Sequence, residues 1–190
     1  MKRNLYIREI NNSLDVLKKG KIILYPTDTI WGLSCDIRAH LAIEKIYKIK
    51  KRDYSKPFIL LVENIRRLEE WVYVPQKAKE LIENHPKPLT IVYDKIKKKI
   101  PFFDQFNSLA IRLTKDYFSK KLIMGLDSPI ISTSANLSHK PSPCCFDQID
   151  PLVLQDVDYR VNVSRKKKSL LEASSIIKVS MQGDMEIIRK

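Results

Sequence analysis

Four short segments place hydroxyls, amides or cations directly after apolar runs, where α/β folds build ligand sites. The first is Tyr25-Pro26-Thr27-Asp28-Thr29, running on into Ile30-Trp31-Gly32-Leu33. A Pro-Thr-Asp-Thr turn taken alone reads as a helix cap or an Asx turn. The second is Lys50-Lys51-Arg52 followed by Lys56-Pro57. Cations at a helix end complement the macrodipole. These, however, lead straight into an apolar run, and Lys56 is extended because a proline follows it. Converging on one loop, such cations would neutralise much of a triphosphate.

The third segment is Ser108-Leu109-Ala110-Ile111-Arg112. Strand alternation puts Ser108, Ala110 and Arg112 on one face. An arginine on an inward face needs an anion: either a substrate carboxylate, which its fork matches, or an internal Asp or Glu. The fourth is Ser132-Thr133-Ser134-Ala135-Asn136-Leu137-Ser138, then Pro141-Ser142-Pro143. Its hydroxyls and amide suit phosphate oxygens or a ribose, and equally a capping loop.

Several chemistries are excluded or unannounced. Only Gly20, Gly32, Gly125 and Gly183 occur, so there is no GxxxxGK[ST] and no GxGxxG. Bound phosphates would rest on side chains, hydroxyls and helix N-termini. Cys35, Cys144 and Cys145 lack zinc or redox spacing, and His40, His85 and His139 form no cluster, so no metal site is expected. No catalytic triad announces itself. The net charge of +13 fits a polyanion partner or a lysine-rich composition bias. No run approaches the ~18 apolar residues of a membrane span, and the N-terminus is too polar for a signal peptide, so a cytoplasmic protein is expected.

The elements that must hold these segments alternate along 190 residues, read as one domain. Asn12-Ser13 and Gly20 bracket a short capped helix. Residues 22–25 read as a strand, 39–51 as a helix and 58–62 as a strand. Asn64 caps a helix to Trp71, and Pro75 opens another to about His85. Residues 89–93, 109–113 and 129–133 read as strands, with a helix from Asp116 to about Gly125. Ser174–Val179 and Glu186–Arg189 form a hairpin across Gln182-Gly183-Asp184. The polar, basic stretch 163–169 reads as a mobile loop. The fold class is α/β or α+β with a large mixed sheet.

Together, YPTDTIWGL, KKRDYSKPF, SLAIR, STSANLSHKPSP and SSII resemble the YrdC family, from about Leu14 to Arg189. The resemblance implies a twisted, largely mixed sheet flanked by helices around a concave basic cavity. It also implies a threonylcarbamoyl-AMP synthase, joining L-threonine, bicarbonate or CO2, and ATP with release of pyrophosphate. Mg2+ would arrive with ATP, and no tightly held cofactor is implied. The product would pass to a threonylcarbamoyl transferase complex that modifies tRNA beside the anticodon. By position, Thr29, Arg112, Ser132 and Ser174 would contact threonine. Arg52, Lys56, Ser108, Ser134, Asn136, Ser142 and Arg189 would line the nucleotide site. Lys50, Arg52 and Lys56 would offset charge developing on pyrophosphate. The chain departs from the family pattern at Lys87 and His139, where glycine is usual, at Thr114, where proline is, and at Lys178, where aspartate is. The alternative reading is a module that binds tRNA or double-stranded RNA without catalysis.

Overall fold

The computed structural model describes residues 2–165 and 173–190. In chain order the elements are α1 (Lys2–Lys18), β1 (Ile23–Pro26), β2 (Trp31–Asp36), α2 (His40–Lys50), β3 (Ile59–Val62), α3 (Ile65–Trp71), α4 (Gln76–Asn84), β4 (Leu89–Tyr93), β5 (Leu109–Leu113), α5 (Tyr117–Leu126), β6 (Ile130–Ser134), α6 (Pro151–Asp156), β7 (Tyr159–Arg160), β8 (Ser175–Val179) and β9 (Met185–Arg189). Among the described residues one nine-stranded sheet runs β7-β1-β2-β6-β3-β5-β4-β8-β9. It is mixed: β1–β7, β3–β5 and β4–β8 are parallel, and the other pairs antiparallel. The α/β class with a large mixed sheet is therefore as expected.

Strand alternation sorts the core onto two faces. Leu24, Leu60, Val62 and Ile131 pack with α2, α3 and α6 through Ile43, Ile46, Leu68 and Val153. Ile23, Tyr25, Leu61 and Ile130 face the other way, onto Ile10 and Leu17 of α1 and Phe118 and Leu122 of α5. Each of these apolar side chains contributes about 1.5–3 kcal/mol on burial. Gly125 lets α5 approach α1 closely, since a Cβ there would lie 2.7 Å from Leu14 Cδ1. No helix among the described residues is long and apolar enough to cross a membrane.

One expected boundary needs correction, and two elements had no counterpart in the sequence reading. The helix expected to begin at Asn12-Ser13 starts ten residues earlier, at Lys2. Tyr6, Ile10, Leu14 and Leu17 continue one apolar stripe, and Ser13 sits inside the helix with its hydroxyl donating to Glu9 O at 2.7 Å. Trp31–Asp36 is a strand buried throughout, and its alternation of Trp31, Leu33 and Cys35 with Gly32, Ser34 and Asp36 is a strand signal that the reading of this segment as a turn passed over. The helix at Pro151–Asp156 also went unread, although Asp150 caps it, accepting from Leu152 N, and Pro151 opens it. Within the stretch read as a mobile loop, Val163 is buried and Arg165 lies over the Phe146 ring. Residues 166–169 lie outside the described residues. By contrast, Asn64 and Asp116 cap α3 and α5, accepting from Arg67 N and Ser119 N.

Candidate active site

The sheet face shared with α1 and α5 also carries a cavity of about 200 Å³. Alternation aims the side chains into it. Gly32 pairs with Ser134, Ile59 with Ser132 and Leu61 with Arg112, so these positions fall on one face of β2, β6, β3 and β5. Leu61 belongs both to the α1–α5 cluster and to the cavity wall. Gly32 keeps the wall open: a Cβ there would stand 3.3 Å from Thr133 O and 3.7 Å from Ser132 Oγ.

Of the residues singled out in sequence, Thr29, Arg52, Arg112, Ser132, Ser134, Ser142, Ser174 and Arg189 line this cavity. A second cavity of about 190 Å³ is lined by Lys50, Lys56 and Asn136, and shares Arg52 and Ser134 with the first. Ser108, one residue ahead of β5, is partly buried and lines neither. Thr27 and Asp28 fall in the first candidate segment, but the sequence reading gives a role there to Thr29 alone. Thr27 lines the cavity, and its Oγ1 accepts from Thr29 N at 3.0 Å and donates to Ile30 O at 2.7 Å. The turn is thus a hydroxyl-braced turn, as its composition suggests. The two threonines at i and i+2 were the available signal for Thr27.

Arg112 is 6% exposed. Its Nη2 donates to Asp28 Oδ1 at 2.7 Å and its Nη1 to Thr29 Oγ1 at 3.4 Å, while its Nε is buried without a partner. The internal carboxylate considered as its anion is therefore present. Burial raises the Asp28 carboxyl above its ordinary value, against the pull of Arg112. Arg189, on the last strand, donates from Nε and Nη2 to Ser174 O at 3.0 and 2.8 Å. Ser174 Oγ in turn meets Thr90 Oγ1 at 2.8 Å. Burial, with Arg112 nearby, lowers the Arg189 value.

The loop after α2 is turned by Lys51 in the left-handed region, at φ 48°, where Arg52 N reaches back to Tyr47 O. Arg52 is then held by backbone: its Nε donates to Lys56 O at 3.0 Å and its Nη2 to Pro57 O at 3.2 Å. Lys50 is 2% exposed, and its Nζ donates to Ser134 O at 2.5 Å, Asn136 O at 2.7 Å and Asn136 Oδ1 at 3.2 Å. All three of its N–H bonds tie α2 to the Ser-Ala-Asn loop. Three acceptors suit the ammonium form, yet burial, followed by Arg52, pushes Lys50 down to about 7.

Two of the departures gain a physical meaning. His139 sits at φ 66°, where glycine is unstrained. Thr114 donates its backbone N–H to Val62 O at 2.9 Å, a bond no proline can make. Among the described residues no group of three or more His, Cys, Asp or Glu gathers as metal ligands do.

The mixed sheet brings three guanidiniums and several hydroxyls to the lining of one small cavity. The chain belongs to the Sua5/YciO/YrdC family, whose model, described as telomere recombination, matches residues 15–190. It is 36% identical over 171 residues to a Methanocaldococcus jannaschii protein provisionally named threonylcarbamoyl-AMP synthase, covering 87% of this chain and 80% of that one. It is 31% identical over 149 residues to the threonylcarbamoyl-AMP synthase of Psychromonas ingrahamii, covering 76% and 78% respectively. P. abyssi Sua5, solved in complex with L-threonine, shares the fold with a TM-score of 0.78 at 24% identity. That alignment covers 90% of this chain and 50% of the longer one.

Proposed function

We propose that the chain is an enzyme of the threonylcarbamoyl-AMP synthase type, a nucleotidyltransferase that condenses L-threonine, bicarbonate or CO2, and ATP. One observation carries the reading beyond the family's named relatives. Arg52, Arg112 and Arg189 line one cavity together with the hydroxyls of Thr29, Ser132, Ser134, Ser142 and Ser174. In the proposed reaction the threonine amine, freed of its proton, adds to CO2, or to bicarbonate with loss of water. One oxygen of the resulting carbamate attacks the α-phosphorus of ATP, and the bond from that phosphorus to the pyrophosphate oxygen breaks.

Arg112, with Thr29, Ser132 and Ser174 around it, holds the threonine carboxylate and side chain. Arg52, Arg189 and Lys56 take the triphosphate, aided by Ser134, Ser142 and Asn136. Lys50 acts through the loop it ties down. Positioning and charge stabilisation then do the catalysis, with no covalent intermediate. The cavity walls offer cations and hydroxyls, so Mg2+ enters on the phosphates of ATP, with phosphate oxygens and water as its ligands. The product passes to a transferase complex that acts on tRNA, in the cytoplasm. A cavity of about 200 Å³ suits small substrates better than an RNA duplex, which favours this reading over a pure RNA-binding module.

The deciding experiment incubates the protein with ATP, L-threonine and bicarbonate and follows pyrophosphate and the adenylate. Formation that requires both co-substrates is expected. Salt-sensitive RNA binding without turnover would overturn the reading.

A further inference from the structure

The carboxylate that meets Arg112 is not itself part of the cavity wall. Asp28 lies outside the residues lining the cavity, is 23% exposed at its side chain, and ends 2.7 Å from Arg112 Nη2. Among the described residues the cavity wall holds three guanidiniums and no acidic side chain. Of these, Arg52 and Arg189 donate to backbone carbonyls, which fix direction but leave the charge whole. Among the described residues Arg112 alone of the three is ion-paired. Its Nη2 is committed to Asp28 and its Nη1 leans on Thr29, while the buried Nε–H has no partner. A buried donor left this way is unfavourable until a ligand satisfies it.

Resting on the reading above, we propose that Asp28 is the positioning and charge-matching residue of the amino-acid end. It fixes the Arg112 fork and cancels one of the three guanidinium charges. That end therefore accepts a singly charged carboxylate and refuses phosphate.

The physics follows from the two kinds of anchor. A guanidinium paired with a carboxylate presents little net charge, so it gains little from a multiply charged ligand but still offers a directed N–H. Unpaired guanidiniums attract phosphate in proportion to its charge. Without Asp28, the cavity would hold three uncompensated guanidiniums in a small volume. Phosphate groups would then compete for the place of the amino acid. Asp28→Asn keeps the shape and an acceptor oxygen while removing the charge. Asp28→Glu keeps the charge but displaces it.

The test is calorimetric titration of the wild type and both variants with L-threonine and, separately, with inorganic phosphate. Steady-state KM values for threonine and ATP accompany it. For Asp28→Asn, threonine should bind about tenfold more weakly, the scale of one oriented charge-assisted hydrogen bond. The KM for ATP should stay within about twofold, since the loop cations are untouched. Inorganic phosphate should become a competitor of threonine. Asp28→Glu should weaken threonine yet still exclude phosphate, which keeps the idea testable if the asparagine variant folds poorly.

Unchanged threonine affinity in Asp28→Asn would overturn the proposal. So would equal losses for threonine and ATP. Weakened threonine with no new phosphate competition would reduce Asp28 to a structural prop and overturn the charge-matching claim. A wild type that binds threonine but forms no adenylate would instead overturn the proposed reaction, and the titrations would still judge Asp28.

Discussion

The two ends of the cavity hold positive charge in opposite ways. Arg112 sits mid-strand, 6% exposed, in an ion pair with Asp28. Arg52 sits on a loop, held by two backbone carbonyls, with Lys56 exposed four residues on. A strand-borne, paired guanidinium is fixed in direction and low in net charge. A loop-borne one with no acidic partner among the described residues keeps its full charge. The first suits a single small anion in one pose, and the second a flexible polyanion. On the proposed reading the partner beside each arginine divides the two ligand classes, since Arg189 is strand-borne too yet has no acidic partner among the described residues.

The most direct way to break that comparison is to remove charge from the loop end. Arg52→Ala should lower adenylate formation by about 10²–10³, the scale of losing one preorganised cation from a closed site. Lys56→Ala should follow in the same direction. Lys98→Ala should leave the rate unchanged, because Lys98 lies over the Trp71 ring, away from both cavities. Equal rates in all three variants, measured by pyrophosphate release, would erase the distinction between the loop cations and ordinary surface charge.

At the strand end the expected effect is smaller and more selective. Arg112→Lys retains a charge for Asp28 but loses the planar fork. The KM for threonine should rise by about ten- to a hundredfold, while the KM for ATP moves little. Parallel losses in both would mean that the two ends are not separate.

How much of this was legible in the sequence also divides along the same line. The hydroxyl- and cation-rich segments sit at strand ends, so the residues of the cavity could be named from composition and alternation. Arg112 needed an anion on sight, since alternation turned it inward. Which anion it found was not legible: Asp28 is 84 positions away, and only the sheet order β1-β2-β6-β3-β5 brings the two together. Lys50 was read as a cation for the reaction because its neighbours are. Its actual partners, Ser134 O and the two Asn136 oxygens, depend on a loop conformation that no spacing rule specifies. β2 carried a strand signal, the alternation of Trp31, Leu33 and Cys35 with Gly32, Ser34 and Asp36, but the Pro-Thr-Asp-Thr turn just before it drew the reading. The length of α1 was missed because Asn12-Ser13 imitates a cap in the middle of an apolar stripe that begins earlier.

Lys50 offers a pH test that bears on the loop end alone. Its folded value of about 7 lies below the ordinary 10.5. Between those values the unfolded chain binds more protons than the folded one, so this group makes stability rise with pH in that window. Activity should move the other way. Losing a proton removes one of three donors from the Ser134–Asn136 loop, so the rate should fall severalfold from about pH 7 upward. Lys50→Arg, which does not titrate there, should flatten both trends. A wild-type rate that holds steady to pH 9 while the arginine variant behaves identically would show that the ammonium persists, sustained by its three acceptors.

The smallest expected effect tests how much strain the loop end tolerates. His139 stands at φ 66° and lines the second cavity. A side chain costs roughly 1–2 kcal/mol in that region, whereas glycine adopts it freely. Glycine also loses more backbone entropy on folding, by about 0.5–1 kcal/mol. The two terms oppose, and the strain is the larger, so His139→Gly should stabilise the fold by less than about 1 kcal/mol in denaturant melts. The rate should stay within about twofold if the imidazole makes no contact that the nucleotide needs. A tenfold fall in rate with unchanged stability would instead give His139 a ligand of its own. The loop end would then contain a specific contact as well as a field of charge, and the contrast with the Arg112 end would narrow.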